Sequence, residues 1–215
     1  MYDLHTHTTF SDGELIPSEL IRRAEEKGYK GIAITDHADY SNYKIIIDNL
    51  LNLKKEINKL LKIKFLVGIE ITHLLPEKID DLAHKAKERG AEVVVVHGET
   101  VVEPVAVKTN FYALQSKYVD ILAHPGLISD IDIKLAADNG KVLELTTRKG
   151  HSITNGHVFH IAKKFGVKLV INNDAHSPAD LLSKDMLKKV ALGAGATEDD
   201  YKRMIRVSEG FFKNA

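Results

Sequence analysis

AEVVVVH, residues 91–97, decides how the fold is read. Four consecutive valines leave no polar face, so this strand is covered on both sides, as strands of a parallel sheet flanked by helices are. KVLELTT, residues 141–147, has the same character. Working outward, seven apolar, β-branched-rich runs emerge: Tyr2–His5, Gly31–Thr35, Phe65–Ile69, Val93–Val96, Val119–Ala123, Val142–Leu145 and Leu169–Ile171. They recur about every 25–30 residues, the length of one strand plus one helix. Helical stripes lie between them. Pro17-Ser18-Glu19 opens one, Leu20, Ile21 and Ala24 form its apolar face, and Gly28 ends it. Ile79, Leu82, Ala83 and Ala86 stop at Gly90, and Val158, Ile161, Ala162 and Phe165 stop at Gly166. Leu50 to Ile63 reads as an amphipathic helix, and Met186–Ala215 as one or two terminal helices closing the fold. Strands alternating with helices imply parallel strands joined by right-handed crossovers.

Composition agrees with one α/β domain over residues 1–215. The 215 residues are 44% hydrophobic, enough for a sizeable core, and no linker or low-complexity tract divides them. Thirty basic and thirty acidic residues balance, which argues against a nucleic-acid binder working through a basic surface. With no cysteine, disulfides and thiolate metal sites are excluded, so any metal must be held by His, Asp and Glu. The absence of a signal-like or long apolar stretch leads us to expect a cytoplasmic protein without a membrane partner.

The ends of the runs carry the chemistry. DLHTHTTFSDG, residues 3–13, follows the first run with His5 and His7, which strand alternation would point to one side, and with Asp12 beyond them. The second run ends Thr35-Asp36-His37, the third Gly68-Ile69-Glu70, the fourth His97-Gly98-Glu99 and the fifth His124-Pro125-Gly126. The sixth leads into Thr146-Thr147-Arg148 and the seventh into Asn173-Asp174-Ala175-His176. In parallel α/β architectures all C-terminal strand ends open on one rim, so every strand delivers an ionisable side chain there. Six deliver His or a carboxylate, and the sixth run delivers Arg.

Each of these residues has an ordinary reading when taken singly. Glu70 is a capping or ion-pair carboxylate, Asp12 a turn residue before Gly13, Arg148 a surface cation. His73, His84, His157 and His160 keep the ordinary reading, and His151 stays open. The nine together do not, because His5, His7, His37, His97, His124, His176, Asp12, Glu70 and Asp174 on one rim would repel and dehydrate one another without cations. Imidazoles and carboxylates without sulfur suit Zn, Mn or Fe rather than Ca or Mg. Nine ligands exceed one ion's shell and suit two or three, with a carboxylate such as Glu70 bridging a pair.

HTHTTFSDG, ITDH, GIE, the isolated His97 and His124 and the closing NDAH together resemble the polymerase-and-histidinol-phosphatase (PHP) family, in the family's order from His5 to His176. The resemblance implies a distorted seven-stranded (β/α)7 TIM-like barrel with its site at the C-terminal strand ends and a trinuclear centre of Zn, Mn or Fe. By position, His5, His7, Glu70 and Asp174 would hold the first ion, Glu70, His97 and His124 the second, and Asp12, His37 and His176 the third. Every ligand position of the family is filled. The implied activity is hydrolysis of small phosphomonoesters, histidinol phosphate or nucleotide-like, by a hydroxide bridging two ions, with Glu70, His97, His124 and Asp174 at the catalytic heart. No organic cofactor is expected.

Arg148 emerges from the one strand without a metal ligand and has the bidentate fork suited to phosphate. Lys149 and His151 are weaker candidates in the same loop, and Glu99 is a candidate to orient a ligating imidazole. Two other functions compete. Amidohydrolase barrels also activate water on His and Asp for C–N hydrolysis, although their carbamylated lysine has no candidate at the end of Val93–Val96, where His97 stands. Related barrels also serve as ribonuclease P subunits, a role the charge balance and intact ligand set disfavour; a small oligonucleotide stays open as a substrate. The segments 38–45, 99–112 and 147–156 form the expected rim loops, in which Tyr40, Tyr43 and Phe111 could stack on a substrate ring or simply pack.

Overall fold

The computed structural model describes residues 1–213. Seven parallel strands, β1 (Tyr2–Asp3), β2 (Gly31–Ile34), β4 (Lys64–Ile71), β5 (Val93–His97), β6 (Ile121–Ala123), β7 (Val142–Thr146) and β8 (Lys168–Asn172), pair in chain order into a nearly closed barrel. A two-residue strand β3 (His37–Ala38), absent from the sequence reading, adds to β4 with His37 opposite Glu70. Helices α1 (Pro17–Glu26), α2 (Tyr43–Ile57), α3 (Ile79–Glu88), α4 (Thr109–Gln115), α5 (Asp130–Asp138) and α6 (Asn155–Phe165) are the crossovers, and α7 (Lys184–Gly193) and α8 (Glu198–Phe211) follow the last strand.

The 3.6-residue stripes seat these helices. In α1, Leu20, Ile21 and Ala24 are buried, and Leu20 and Ile21 each contribute roughly 1.5–3 kcal/mol on burial. The Leu50–Ile63 helix is shifted: α2 starts at Tyr43, because Tyr43, Ile46, Ile47 and Leu50 extend the buried stripe toward the N-terminus, and it ends at Ile57. Helical turns also take Thr109–Gln115 and His151–Thr154 out of the expected rim loops. The expected terminal helices are α7 and α8; positions 214–215 of that expectation lie outside the described residues. A reciprocal Thr197–Asp200 capping box starts α8.

Strand alternation separates two cores. One side of β4 sends Phe65, Val67, Ile69 and Ile71 toward the helices, the other sends Leu66 into the barrel with Ala33, Val93, Val95, Ile121, Ala123, Val142 and Val170. The N-terminal mouth is plugged by Phe212, which follows α8 and stacks on Tyr2 with ring centroids 5.2 Å apart. Gly31 makes room for that plug, since a Cβ there would lie 2.7 Å from the Phe212 ring. With that end filled, only the C-terminal end is free to open.

The first strand is shorter than expected. The run Tyr2–His5 gives only Tyr2–Asp3, and the chain bends at Leu4. Side chains then complete the seam between first and last strands: Leu4 N donates to Asn172 Oδ1 at 3.0 Å and Asn173 Nδ2 to Asp3 Oδ2 at 2.6 Å. Farther along, Thr6 and Ala175 form one parallel bridge, with His7 N donating to Ala175 O at 2.9 Å. No described helix is long and apolar enough to cross a membrane.

Candidate metal centre

All nine expected ligands meet at the C-terminal end of the barrel, on two levels. The floor is fully enclosed: His5, His7, Glu70, His97, His124 and Asp174 are at most 3% exposed. Glu70 reaches it by alternation, being in phase with Leu66 on β4. His5 and His124 reach it by breaking alternation. The bend at Leu4 turns His5 inward, so the two imidazoles of the HTH stretch converge by a bend rather than by sharing a strand face. His124 turns in through a left-handed backbone, φ +24°, and Asp174 also sits in that region, φ +53°. L residues occupy such conformations only when their surroundings hold them there.

On the floor His5 Nε2 lies 3.3 Å from Glu70 Oε1 and 3.7 Å from Asp174 Oδ1, and His7 Nε2 lies 3.2 Å from Asp174 Oδ1. His124 Nε2 is 3.6 Å from Glu70 Oε1 and 3.7 Å from Asp174 Oδ2. One level up, Asp12 Oδ1 is 3.3 Å from His176 Nε2 and 3.5 Å from His37 Nε2. Ligand atoms cluster within 4.8 Å as His5–His7–Asp174, Glu70–His97–His124 and His7–Asp12–His37–His176. These clusters overlap the three expected groups, Glu70 standing outside the first and His7 joining the third, and two more, His5–His124–Glu144 and His73–His97–Glu103, have no counterpart among them.

A cation fits this arrangement, because burial leaves polar atoms unpaired. His5 Nε2, both nitrogens of His7, Glu70 Oε1 and His124 Nδ1 are buried without a hydrogen-bond partner, and orphaned groups of this kind are costly. Burial pushes His7 down to about 3 and His97 down to about 4, keeping both imidazoles neutral and able to ligate. Burial also disfavours the His5 cation, but the carboxylates of Glu144, Glu70 and Asp174 outweigh it and raise His5 well above the usual imidazole range. Glu70 and Asp174, which burial alone would raise, are held well below the usual carboxylate range by the imidazoles around them, His5 foremost.

Glu144 was missed in the sequence. The expectation that the sixth run delivers only Arg148 is corrected by this carboxylate, which points into the barrel from the middle of β7 in phase with Val142. Its Oε2 accepts from His5 Nδ1 and Asn172 Nδ2, both at 2.8 Å, leaving His5 Nε2 to face the centre. In the sequence VLELT shows one glutamate interrupting an apolar strand, and that the position faces inward is visible only with the barrel built.

A cavity of about 450 Å³ opens above the floor, and Arg148 lines it together with His97, His176 and Asp12. Arg148 Nη1 sits 3.4 Å from Asp180 Oδ2. His151 and His73 line it too, so the ordinary reading of His73 is corrected. His84 keeps that reading, stacked on Tyr118, as does His157, bonded to Ile128 O at 2.9 Å. Glu99 orients no imidazole; it exchanges hydrogen bonds with Asn110, both at 2.9 Å. Lys149 is exposed and does not line the cavity. Tyr43 packs in the core, Tyr40 Oη donates to Asp81 Oδ2 at 2.6 Å, and Phe111 lines a separate surface depression.

Comparison with known proteins agrees with the geometry. The profile of the PHP domain matches residues 3–124, more than half of the chain. The chain belongs to the PHP domain family. An uncharacterized protein of Methanocaldococcus jannaschii is 52% identical to this PHP chain, over 95% of it and 94% of that protein. A probable phosphatase of Thermoanaerobacter sp. is 30% identical over 92% of the chain and 87% of the relative. More distant Methanosarcina relatives, 27–29% identical, are named ribonuclease P protein component 3. Among solved structures, the histidinol phosphate phosphatase of Lactococcus lactis, complexed with zinc, L-histidinol and phosphate, superposes with a TM-score of 0.62. At 16% identity, over 91% of this chain and 94% of that one, that likeness speaks for the barrel alone.

Proposed function

We propose that this PHP barrel is a metal-dependent phosphoesterase acting on small phosphomonoesters, histidinol phosphate or nucleotide-like. The observation that carries the metal requirement is the set of buried imidazole and carboxylate atoms left without a hydrogen-bond partner, His5 Nε2, His7 Nε2 and Glu70 Oε1 among them. On this reading His5, His7, Glu70 and Asp174 hold one divalent ion, Glu70, His97 and His124 a second, and Asp12, His37 and His176 a third, the metal being Zn, Mn or Fe. Ions bound there supply Lewis acidity toward water and neutralise charge growing on the phosphoryl oxygens. Family membership and the phosphatase-named relative support the choice of a phosphoester over a C–N bond.

The chain's own residues do the rest. Glu144 holds the Nδ1 proton of His5, fixing the tautomer whose Nε2 lone pair faces the floor. The enclosed floor keeps bulk water from the ligand atoms, and the cavity above admits substrate from one side. Arg148 lines that cavity and is positioned to hold the phosphate through its guanidinium fork, with Asp180 steadying one arm.

The test is phosphate release from histidinol phosphate, several nucleoside monophosphates and a short oligonucleotide, run beside ammonia release from C–N substrates. Metal-dependent phosphate release supports the reading. Ammonia release without phosphate release refutes it. Binding of structured RNA at physiological salt with no hydrolysis of any substrate would favour the role of the Methanosarcina relatives instead.

A further inference from the structure

Beyond the nine expected ligands, Glu103 reaches back from the segment after β5 into the mouth of the cavity. Its Oε2 lies 3.2 Å from His97 Nε2 and 3.4 Å from His73 Nε2, and its Oε1 lies 3.2 Å from His151 Nε2. Ligands about 2.0–2.1 Å from a tetrahedral ion stand about 3.3 Å apart, so these separations, which are also those of direct ion pairs, fit a cation's shell. His73, His97 and Glu103 each offer a ligand atom within 4.8 Å of the others. The supporting contacts are also in place. Gly98 O lies 3.2 Å from His97 Nδ1 and Thr100 Oγ1 lies 2.9 Å from His151 Nδ1, so both rings present Nε2 to Glu103.

His97 is the hinge between two sets. His97 also offers a ligand atom to the set with Glu70 and His124, and the His124 ring centroid is 4.5 Å away. One imidazole nitrogen binds one ion, and Nδ1 is turned to the Gly98 carbonyl, so the two sets cannot be filled together. They differ in access. The His73 and Glu103 side chains are 45% and 37% exposed, whereas Glu70 is fully buried. An ion cannot reach the floor without shedding its hydration shell, and an intermediate set of ligands lowers that cost stepwise.

We propose that His73, His97 and Glu103 form an entry site for divalent transition-metal ions, from which His97 passes the ion to Glu70 and His124. His151 positions the Glu103 carboxylate by holding its second oxygen. The proposal rests on the metal reading of the floor given above. It assigns work to His73 and Glu103, which the resemblance to the PHP family leaves without a role.

The test is loading of chelator-stripped full-length protein with Co2+, followed by stopped-flow visible absorption and by metal content at the endpoint. The variants are Glu103→Gln and His73→Asn; asparagine tolerates the left-handed backbone of His73, φ +51°. Both are expected to slow loading about tenfold, the scale of losing a group that supports a metal ligand, while reaching the wild-type metal content. Wild-type rates in both variants overturn the proposal. So does a slow Glu103→Gln beside a wild-type His73→Asn, since that marks charge steering alone. A lower endpoint content with unchanged rate also overturns it, by making these residues resident ligands. If wild-type protein takes up no Co2+, the reading of the floor itself falls, a result distinguishable from all of these.

Discussion

Replacing Glu144 by Gln isolates the carboxylate that the rest of the centre leans on. Gln keeps the shape of the side chain, so packing within β7 is unchanged, but it removes the negative charge beside His5. In the native arrangement Glu144 is fully buried, Oε2 takes two hydrogen bonds at 2.8 Å, and Oε1 has no partner. The amide oxygen can replace Oε2 as acceptor, and the amide nitrogen then occupies the unpartnered position as a buried donor, costing about 1–3 kcal/mol. The His5 imidazole also loses the neighbour that most strengthens its basicity as a ligand. Groups of this kind are worth about 10–100-fold in metal affinity, or roughly 1.4–2.7 kcal/mol. Competition with a chromophoric chelator should therefore show the tightest-bound ion weakened by that factor, with the far-UV circular dichroism of the barrel unchanged. Glu144→Gln protein that holds metal as tightly as wild type would refute the claim that Glu144 sets the His5 ligand.

Asp174→Asn, chosen because asparagine tolerates φ +53°, and His97→Ala should each abolish metal-dependent phosphate release while the protein stays folded; full activity in either, in metal-stripped buffer, contradicts the mechanism. Arg148→Ala should raise KM for small phosphomonoesters about tenfold or more, since a lost charged contact to phosphate is worth roughly 1.5–3 kcal/mol, and steady-state kinetics would expose an unchanged KM. In the metal-free protein His5, His37 and His124 hold protons tightly, because nearby carboxylates outweigh the burial that opposes their charge. Ligation removes those protons, so metal binding near pH 7 should release protons and tighten as pH rises; calorimetry in two buffers of different ionisation heat would detect this, and zero proton release would contradict it. Gly126→Ala should destabilise the barrel by about 2–5 kcal/mol in urea unfolding, because φ is +63° and a Cβ would stand 1.9 Å from Glu99 O.

Most of the fold was legible because parallel strands buried on both sides spell themselves as unbroken apolar runs. Val93–Val96 and Val142–Leu145 fall within β5 and β7 for that reason. The candidate ligands were legible as a group because each strand end is marked by a polar residue following an apolar run. Less visible was anything set by backbone geometry rather than residue type. The bend at Leu4 and the left-handed turn at His124 place side chains where alternation would not, and the two-residue strand at His37 is too short to leave a periodic signal. Glu144 was hidden by its setting, since one glutamate in VLELT reads as a minor interruption until the barrel interior is known. His73 and Glu103 lie 30 residues apart without a motif, and only the approach of the two segments joins them.

The seam that closes the barrel and the floor that gathers the ligands share one construction. Among the described residues β1 and β8 share no ladder, and the Thr6–Ala175 bridge lies beyond both strands, so the remaining work falls to Asp3, Asn172 and Asn173. Asn172 spans both tasks: its Oδ1 accepts from Leu4 N across the seam, while its Nδ2 donates to Glu144, which holds His5. Asn173 Nδ2 ties Asp3 to Tyr29 Oη, and burial, working against these hydrogen bonds, pushes the Asp3 carboxyl up to about 7. A continuous β-ladder would have closed the barrel with more regular pairing. It would also have kept the strand straight through Leu4, and alternation would then have turned His5 away from the floor. Exchanging ladder bonds for asparagine and aspartate side chains lets the chain bend where the first imidazole must turn in, and brings His7 against Ala175, next to Asp174. The irregular seam is therefore the structural requirement of the centre, and the two ends of the ligand set are joined by the same few polar residues that join the two ends of the barrel.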